Sequence, residues 1–119
     1  MKCNSFEHLR KKNTERSKEW GIQDVHTEQG FVIELLFRSN ELGGECGEVQ
    51  NEAKKLARTF LEMPGGKSMR AARDALASEL ADTLICCDRL AELFDIDLAE
   101  AVATKFNQSS EKHGFKTRF

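Results

Sequence analysis

The chain has 119 residues, of which 32% are charged and 39% apolar, and its formal net charge is −2. This length suits one domain, 1–119, and a domain so small buries only about two thirds of its unfolded surface, so we expect it to rely on partner subunits. The interspersed charges offer no basic face for duplex nucleic acid. A single Pro, no Tyr and few β-branched residues favour helix over sheet.

The four cysteines give no sign of a zinc site, because Cys3, Cys46, Cys86 and Cys87 have no C-x-x-C spacing. Cys46 and Cys87 fall on apolar helical stripes, where a thiol behaves as a small hydrophobe. Neither a signal-peptide core nor a run of about 18 apolar residues is present. We therefore expect a reduced, cytoplasmic protein that does not enter a membrane.

Two helices are predicted in the first half of the chain. Ser5 can cap a helix that runs to about Glu19, with Phe6 and Leu9 as apolar anchors. Residues 20–30 have two glycines and no helical period, so we expect a loop there. From residue 31 to about 62, apolar residues recur at steps of three, four or seven, which predicts one long helix. They are Leu35, Leu42, Cys46, Val49, Ala53, Leu56 and Phe60.

Two further helices follow a break at residues 63–67, where Pro64 and paired glycines favour a turn. Ser68 can cap a third helix, from about 69 to 94, which we expect to lie antiparallel to the second. Asp97 and Glu100 have the spacing of a capping box, which predicts a fourth helix ending near His113. The predicted fold is an all-α, antiparallel four-helix bundle with a loose C-terminal tail.

Two matched pairs of acids stand out on the long helices. At about 100° per residue, Glu45 and Glu48 share one face of the second helix, and Glu79 and Asp82 share one face of the third. Both pairs border the apolar stripes, so antiparallel packing would bring them together. Four carboxylates at close range repel unless hard cations neutralise them, and oxygen ligands favour Mg²⁺ or Mn²⁺ over zinc. The alternative interpretation is that these acids are solvated surface charges.

Three glycines lie inside the second predicted helix. Each of Gly43, Gly44 and Gly47 costs about 1 kcal/mol relative to Ala in that position. Either a neighbouring helix packs closely against them, which is our preferred interpretation, or they leave room for a ligand beside the acids.

The motif Glu45-x-x-Glu48 followed by Glu79-x-x-Asp82 resembles the signature of the MazG-like and dCTPase-like all-α nucleoside triphosphate pyrophosphohydrolases. Three further segments, at residues 13–20, 51–58 and 96–107, are similar to other elements of that family, so the resemblance covers nearly the whole chain. Two departures are visible: Gly44 replaces a Glu that many members have, and the 30 residues between Glu48 and Glu79 make a long linker.

The resemblance implies hydrolysis of (deoxy)nucleoside triphosphates at the α–β bond, with Mg²⁺ as cofactor and a homodimer or homotetramer as the assembly. It implies that Glu45, Glu48, Glu79 and Asp82 bind the metal and are catalytic. It also implies substrate contacts, in which Lys105 and Asn107 reach phosphates or metal-bound water, against the alternative of a solvated helix. Trp20 could stack on a base or cap the core. Lys55 and Arg16 complete the candidate substrate-binding residues.

Two other classes of protein compete with this hypothesis. A di-iron carboxylate bundle requires Glu-x-x-His on paired helices, and no Glu of this chain has His three residues later. A non-catalytic helical binding or regulatory module fits the amphipathic helices and the expected oligomer. That module leaves the matched acid pairs without an explanation.

Overall fold

The computed structural model describes residues 2–22 and 24–119, which contain four α-helices and no strand. The prediction of an all-α fold is therefore confirmed for this part of the chain. No helix within it combines the length and the apolar character needed to cross a membrane. The helices are α1 Phe6–Trp20, α2 Glu28–Phe60, α3 Met69–Glu92 and α4 Leu98–Lys112.

Side-chain caps fix the starts of three helices where the sequence predicted them. Ser5 Oγ and Ser68 Oγ each accept a hydrogen bond from a backbone N–H three residues later, at 3.1 and 3.3 Å. Asp97 Oδ1 accepts hydrogen bonds from the backbone N–H groups of Ala99 and Glu100, two and three residues later, at 2.8 and 3.1 Å. These bonds satisfy N–H groups that have no partner inside the helix.

Helix α2 begins three residues earlier than predicted. Thr27 Oγ1 accepts a hydrogen bond from the Gly30 N–H at 3.1 Å and caps the helix at Glu28. The last three residues of the predicted loop, 28–30, are therefore helical. Gln23, also in that predicted loop, lies outside the described residues.

Helices α2 and α3 pack along each other in antiparallel directions, and a buried ion-pair network joins α2 to the last turn of α3. The buried Arg38 guanidinium of α2 donates to Glu34 Oε2 at 2.9 Å, to the Arg89 carbonyl of α3 at 2.6 Å and to Glu92 Oε2 at 3.0 Å. Further along α2, Glu45 faces an earlier part of α3. Charged side chains thus join the two helices directly.

The interior of the single chain is mainly polar. Among the described residues only Ala72, Cys86 and Ala91 are buried apolar residues. The apolar stripe of α2 does not form a buried core in the single chain, because Leu35 and Leu42 are only half-buried. The buried face is centred instead on the neighbouring polar side of α2, where ion pairs offset the cost of burying charge. The buried polar residues are Asn13, Ser17, Glu34, Arg38, Glu52, Asp88, Arg89 and Ser110.

Asp88 fastens α1 to α3. Its carboxylate is 1% exposed and accepts hydrogen bonds from Arg10 Nε at 2.9 Å and from Asn13 Nδ2 at 2.9 Å. Asn13 also donates to the Ile85 carbonyl at 3.2 Å, and Thr14 donates to Glu92. Helix α1 is therefore held by specific polar bonds.

Helix α4 remains largely unpacked in the single chain, since close approaches between helices concentrate in the α2–α3 and α1–α3 pairs. The radius of gyration is 17.7 Å. A compact domain of this length would have about 13–14 Å. The described helices therefore leave substantial surface available for packing against other chains.

The C-terminal segment is ordered against α4, so the expectation of a loose tail is wrong. The Phe119 N–H donates to Asn107 Oδ1 at 2.9 Å, and the Arg118 guanidinium donates to the Asn107 carbonyl at 3.1 Å. The rings of Phe106 and Phe119 meet edge to face, with centroids 5.2 Å apart. These contacts fold residues 115–119 back along the helix.

Replacing Asp88 tests the polar attachment of α1. Asp88→Ala removes one carboxylate acceptor from Arg10 and one from Asn13, which keep only their bonds to the Ile96 and Ile85 carbonyls, so we expect unfolding free energy to fall by about 2–3 kcal/mol. Asp74→Ala, at an exposed position of the same helix, should change it by less than about 0.5 kcal/mol. Urea denaturation measures both. Equal losses in the two variants would contradict the assigned role of Asp88.

Candidate metal centre

Three of the four predicted ligands meet between α2 and α3. Glu45 of α2 and Glu79 and Asp82 of α3 each offer a carboxylate oxygen, and these oxygens all lie within 4.8 Å of one another. Glu45 and Glu79 are half-buried, while Glu48 is exposed and lies outside this group. The structure thus places Glu45 of the first predicted pair with both acids of the second pair, while Glu48 stays outside the three-carboxylate cluster.

The cluster lies in the middle of a row of acids on one side of α2, which we name the acidic ridge. At about 100° per residue its members fall within a narrow sector of the helix. They are Glu41, Glu45, Glu48 and Glu52.

Both ends of the acidic ridge are neutralised by cations. At the first end, Arg89 Nη1 of α3 donates to Glu41 Oε2 at 2.5 Å. At the other end, the buried Glu52 accepts from Lys55 Nζ at 2.5 Å and from Lys67 Nζ. Hydrogen bonds from these two lysines lower the pKa of Glu52, so its carboxylate stays ionised.

The middle of the ridge has no such compensation. Within residues 2–22 and 24–119, no lysine or arginine forms an ion pair with Glu45, Glu48, Glu79 or Asp82. Burial raises the pKa of Glu45, and the nearby carboxylates of Asp82 and Glu79 raise it further. Converging oxygen donors with uncompensated charge fit a hard divalent cation such as Mg²⁺.

Cys86 lies beside the acids without adding a soft ligand. Burial raises the pKa of its thiol, and the carboxylates of Glu41 and Glu45 raise it further. The Sγ atom of Cys86 is not among the ligand atoms that converge within 4.8 Å of one another. The cluster keeps an oxygen-only donor set, and all four cysteines of the chain are free.

Arg89 is a site residue that the sequence reasoning missed. Its guanidinium is 3% exposed, contacts Glu41, and has its carbon 5.1 Å from the centroid of the Trp20 ring. Its Nε atom has no hydrogen-bond partner among the described residues. A signal was present, because Arg89 follows Asp82 by seven residues and so falls on the same side of α3.

Trp20 and Arg16 lie together at the end of the ridge that Arg89 occupies. The guanidinium carbon of Arg16 is 5.0 Å from the ring centroid of Trp20, and its Nη2 donates to Asn13 Oδ1 at 3.3 Å. The Trp20 side chain is 59% exposed, so the interpretation that it caps the core is wrong. Stacking of a base on Trp20 stays a prediction.

The remaining predicted substrate residues divide into two groups. Lys55 lies at the ridge through its bond to Glu52. Lys105 and Asn107 lie on α4, which has few close approaches to α2 and α3. Lys105 is exposed, and Asn107 is half-buried and accepts a hydrogen bond from the Phe119 N–H.

The preferred interpretation of the helical glycines is wrong for the single chain. A Cβ atom added to Gly43, Gly44 or Gly47 would meet no atom of the described residues within 4 Å, apart from the local helix backbone. None of the four described helices therefore packs closely there. Gly44 borders the acidic ridge, whereas Gly43 and Gly47 lie on the opposite side of α2.

Comparisons of this chain with protein-family models, with curated proteins and with solved structures found no match. Any assignment of function therefore depends on the chemistry of the described residues and on the resemblance in the sequence. The arrangement combines a carboxylate cluster, a cationic group at each end of the ridge and an exposed aromatic ring. Such a set can bind a divalent cation together with a phosphorylated aromatic ligand.

Proposed function

We propose that this chain is a Mg²⁺-dependent nucleoside triphosphate pyrophosphohydrolase of the MazG-like kind. The observation that carries the proposal is the convergence of Glu45, Glu79 and Asp82 from two antiparallel helices, with no cation partner in the described chain. The acids at the two ends of the ridge, Glu41 and Glu52, do have cation partners, so the lack of compensation falls in the middle of the ridge, where the ligands converge. The free cysteines fit a reducing, cytoplasmic setting.

In this mechanism the protein positions charge and removes one proton. A magnesium ion, when bound, polarises the phosphates and lowers the pKa of an attacking water. Glu45, Glu79 and Asp82 hold their carboxylate oxygens in place for that cation. Glu48, exposed and outside the cluster, accepts the proton of the attacking water at a carboxylate oxygen.

The nucleotide lies along the ridge, with its base near Trp20. The ring is exposed, lies next to Arg16 and Arg89, and is linked to the acids through Glu41. Base stacking on an aromatic face suits any nucleobase, so this contact favours nucleotides as a class.

The proposed bond is the one between the α and β phosphates. The sequence has no G-x-x-x-x-G-K-[ST] loop, through which many γ-phosphate hydrolases bind the terminal phosphates. The resemblance to the pyrophosphohydrolases supports attack at the α phosphorus. The products are then a nucleoside monophosphate and pyrophosphate.

The proposal includes a homo-oligomer, dimer or tetramer. On the side of α2 opposite the acidic ridge, Val32 and Leu36 are 45% and 60% exposed, and Gly43 and Gly47 leave space for a close helix. A second copy packed there would bury this face. Helix α4 has few close approaches to α2 and α3 within one copy, so a substrate role of Lys105 and Asn107 requires contacts of α4 that form in the assembly.

Light scattering at micromolar concentration tests the assembly. We expect a dimer or tetramer, and Leu36→Glu should shift it towards the 13.5 kDa monomer by placing a charge in the apolar face. Met63→Glu changes an exposed apolar residue in the turn after α2 and should leave the assembly intact. A monomeric parent protein would refute the oligomer.

Magnesium should raise the melting temperature, because it binds only the folded carboxylate cluster; at 100 times Kd the stabilisation is about 2.7 kcal/mol. The combined Glu79→Gln and Asp82→Asn variant should lose this shift, whereas Asp74→Asn should keep it. The raised pKa of Glu45 means that protons compete with the cation, so the shift should shrink as pH falls. An undiminished shift in the double variant would exclude this ligand set, and a non-catalytic module should bind neither magnesium nor nucleotide.

Product analysis tests the bond that is broken. Chromatography of a single turnover, without added pyrophosphatase, should show monophosphate and pyrophosphate as the first products. Glu45→Gln or Glu48→Gln should reduce turnover by about 100-fold or more, through loss of a ligand or of the general base. Glu62→Gln, in the turn that follows α2, should have little effect. Initial release of diphosphate and orthophosphate would refute the assignment.

A further inference from the structure

Lys67 is a basic residue of the α2–α3 connection that the proposed mechanism has not used. Its backbone N–H donates to the Lys55 carbonyl at 3.2 Å, and its carbonyl accepts from Thr59 Oγ1 at 2.6 Å. These two bonds fix the main chain of the connection against the last turns of α2. The Nζ atom is thereby directed to Glu52 at the end of the acidic ridge.

The group formed by Glu52, Lys55 and Lys67 carries one positive charge in excess, because two ammonium groups share one carboxylate. Glu52 is buried, whereas the side chains of Lys55 and Lys67 are 30% and 32% exposed. An ammonium group has three donors, so each lysine can keep its bond to Glu52 and still donate to an anion. The group is therefore a half-exposed site for negative charge.

This group lies at the end of the acidic ridge that the terminal phosphates would occupy if the base of a nucleotide lay near Trp20. Glu52 follows Glu45 by seven residues, which is about 10 Å along the helix and nearly the same direction around it. Trp20 and Arg89 lie beyond Glu41, at the other end. The carboxylate cluster thus separates an aromatic end from a cationic end.

Given the proposed function, on which this step rests, we infer that Lys67, together with Lys55, binds the β and γ phosphates and makes the site selective for triphosphates over diphosphates. Water oxygen bonds to the α phosphorus, and the bond from that phosphorus to the α–β bridging oxygen breaks. The electron pair of the broken bond goes to pyrophosphate, and the water proton goes to Glu48. Lys67 transfers no proton; it stabilises the charge that develops on the leaving group.

The contrasting role for Lys67 is purely structural, in which it fastens the connection through Glu52. The two roles differ in their dependence on the substrate. A loosened connection would affect all substrates alike. A diphosphate has no γ phosphate, so loss of Lys67 should affect its hydrolysis less than that of a triphosphate.

The test compares Lys67→Gln, Lys67→Arg and Lys54→Gln. Lys54 is exposed and lies on the side of α2 opposite Glu45, so its variant removes the same charge without reaching the ridge. For Lys67→Gln we expect the ratio of kcat/KM for a triphosphate to that for the matching diphosphate to fall about tenfold, the size of one charge-assisted hydrogen bond. Lys67→Arg should retain most of the ratio, and Lys54→Gln should leave it unchanged.

Pyrophosphate titrated in the presence of magnesium gives a second readout that needs no turnover. Its affinity should fall about tenfold in Lys67→Gln and remain unchanged in Lys54→Gln. An unchanged ratio and an unchanged pyrophosphate affinity in a folded Lys67→Gln variant would overturn the inference while leaving the hydrolase intact. If the parent hydrolysed no nucleotide, the proposed function would fail, and the pyrophosphate titration alone would decide whether Lys67 binds phosphate.

Discussion

Repulsion between like charges at the α2–α3 interface is the constraint on which the rest of this structure depends. The acidic ridge of α2 faces α3, and a row of carboxylates in a partly desolvated interface costs free energy unless each is compensated. Arg89 compensates Glu41, and two lysines compensate Glu52. The chain thus balances the ends of the ridge with its own cations and concentrates the uncompensated charge at Glu45.

The polar interface also accounts for the surface of the single chain. Since Arg38, Asp88 and Arg89 occupy buried positions, little room remains there for large apolar side chains. Buried ion pairs give specificity of packing but little net stability compared with apolar contacts. Apolar residues such as Leu36 and Phe37 are left exposed on α2. An oligomer that buries them would supply the hydrophobic stabilisation that the single chain lacks.

The sequence predicted local features well and the buried face less well. Caps such as Ser68 depend on residue type and on spacing along the chain, so they could be read directly. Periodicity identifies the apolar face of α2 but does not weigh ion pairs such as Arg38 with Glu34, so it does not predict which face of α2 is buried. Arg89 lies seven residues after Asp82, and this spacing places both residues on the same side of α3. No sequence pattern indicates that Lys67 reaches the acidic ridge, because the direction of its side chain depends on the tertiary path of the α2–α3 connection.

The chemical difference between the two ends of the ridge gives the proposed site a direction. At one end, Arg89 and Glu41 cancel each other's charge beside an exposed indole, which suits an uncharged aromatic base. At the other end, the group around Glu52 keeps one positive charge in excess, which suits the most highly charged part of a nucleotide. In the orientation that we propose, the α phosphorus of a triphosphate lies nearest the carboxylate cluster and its pyrophosphate part lies beside the lysines. The charge distribution that relieves repulsion within the fold thus agrees with the proposed cleavage at the α–β bond.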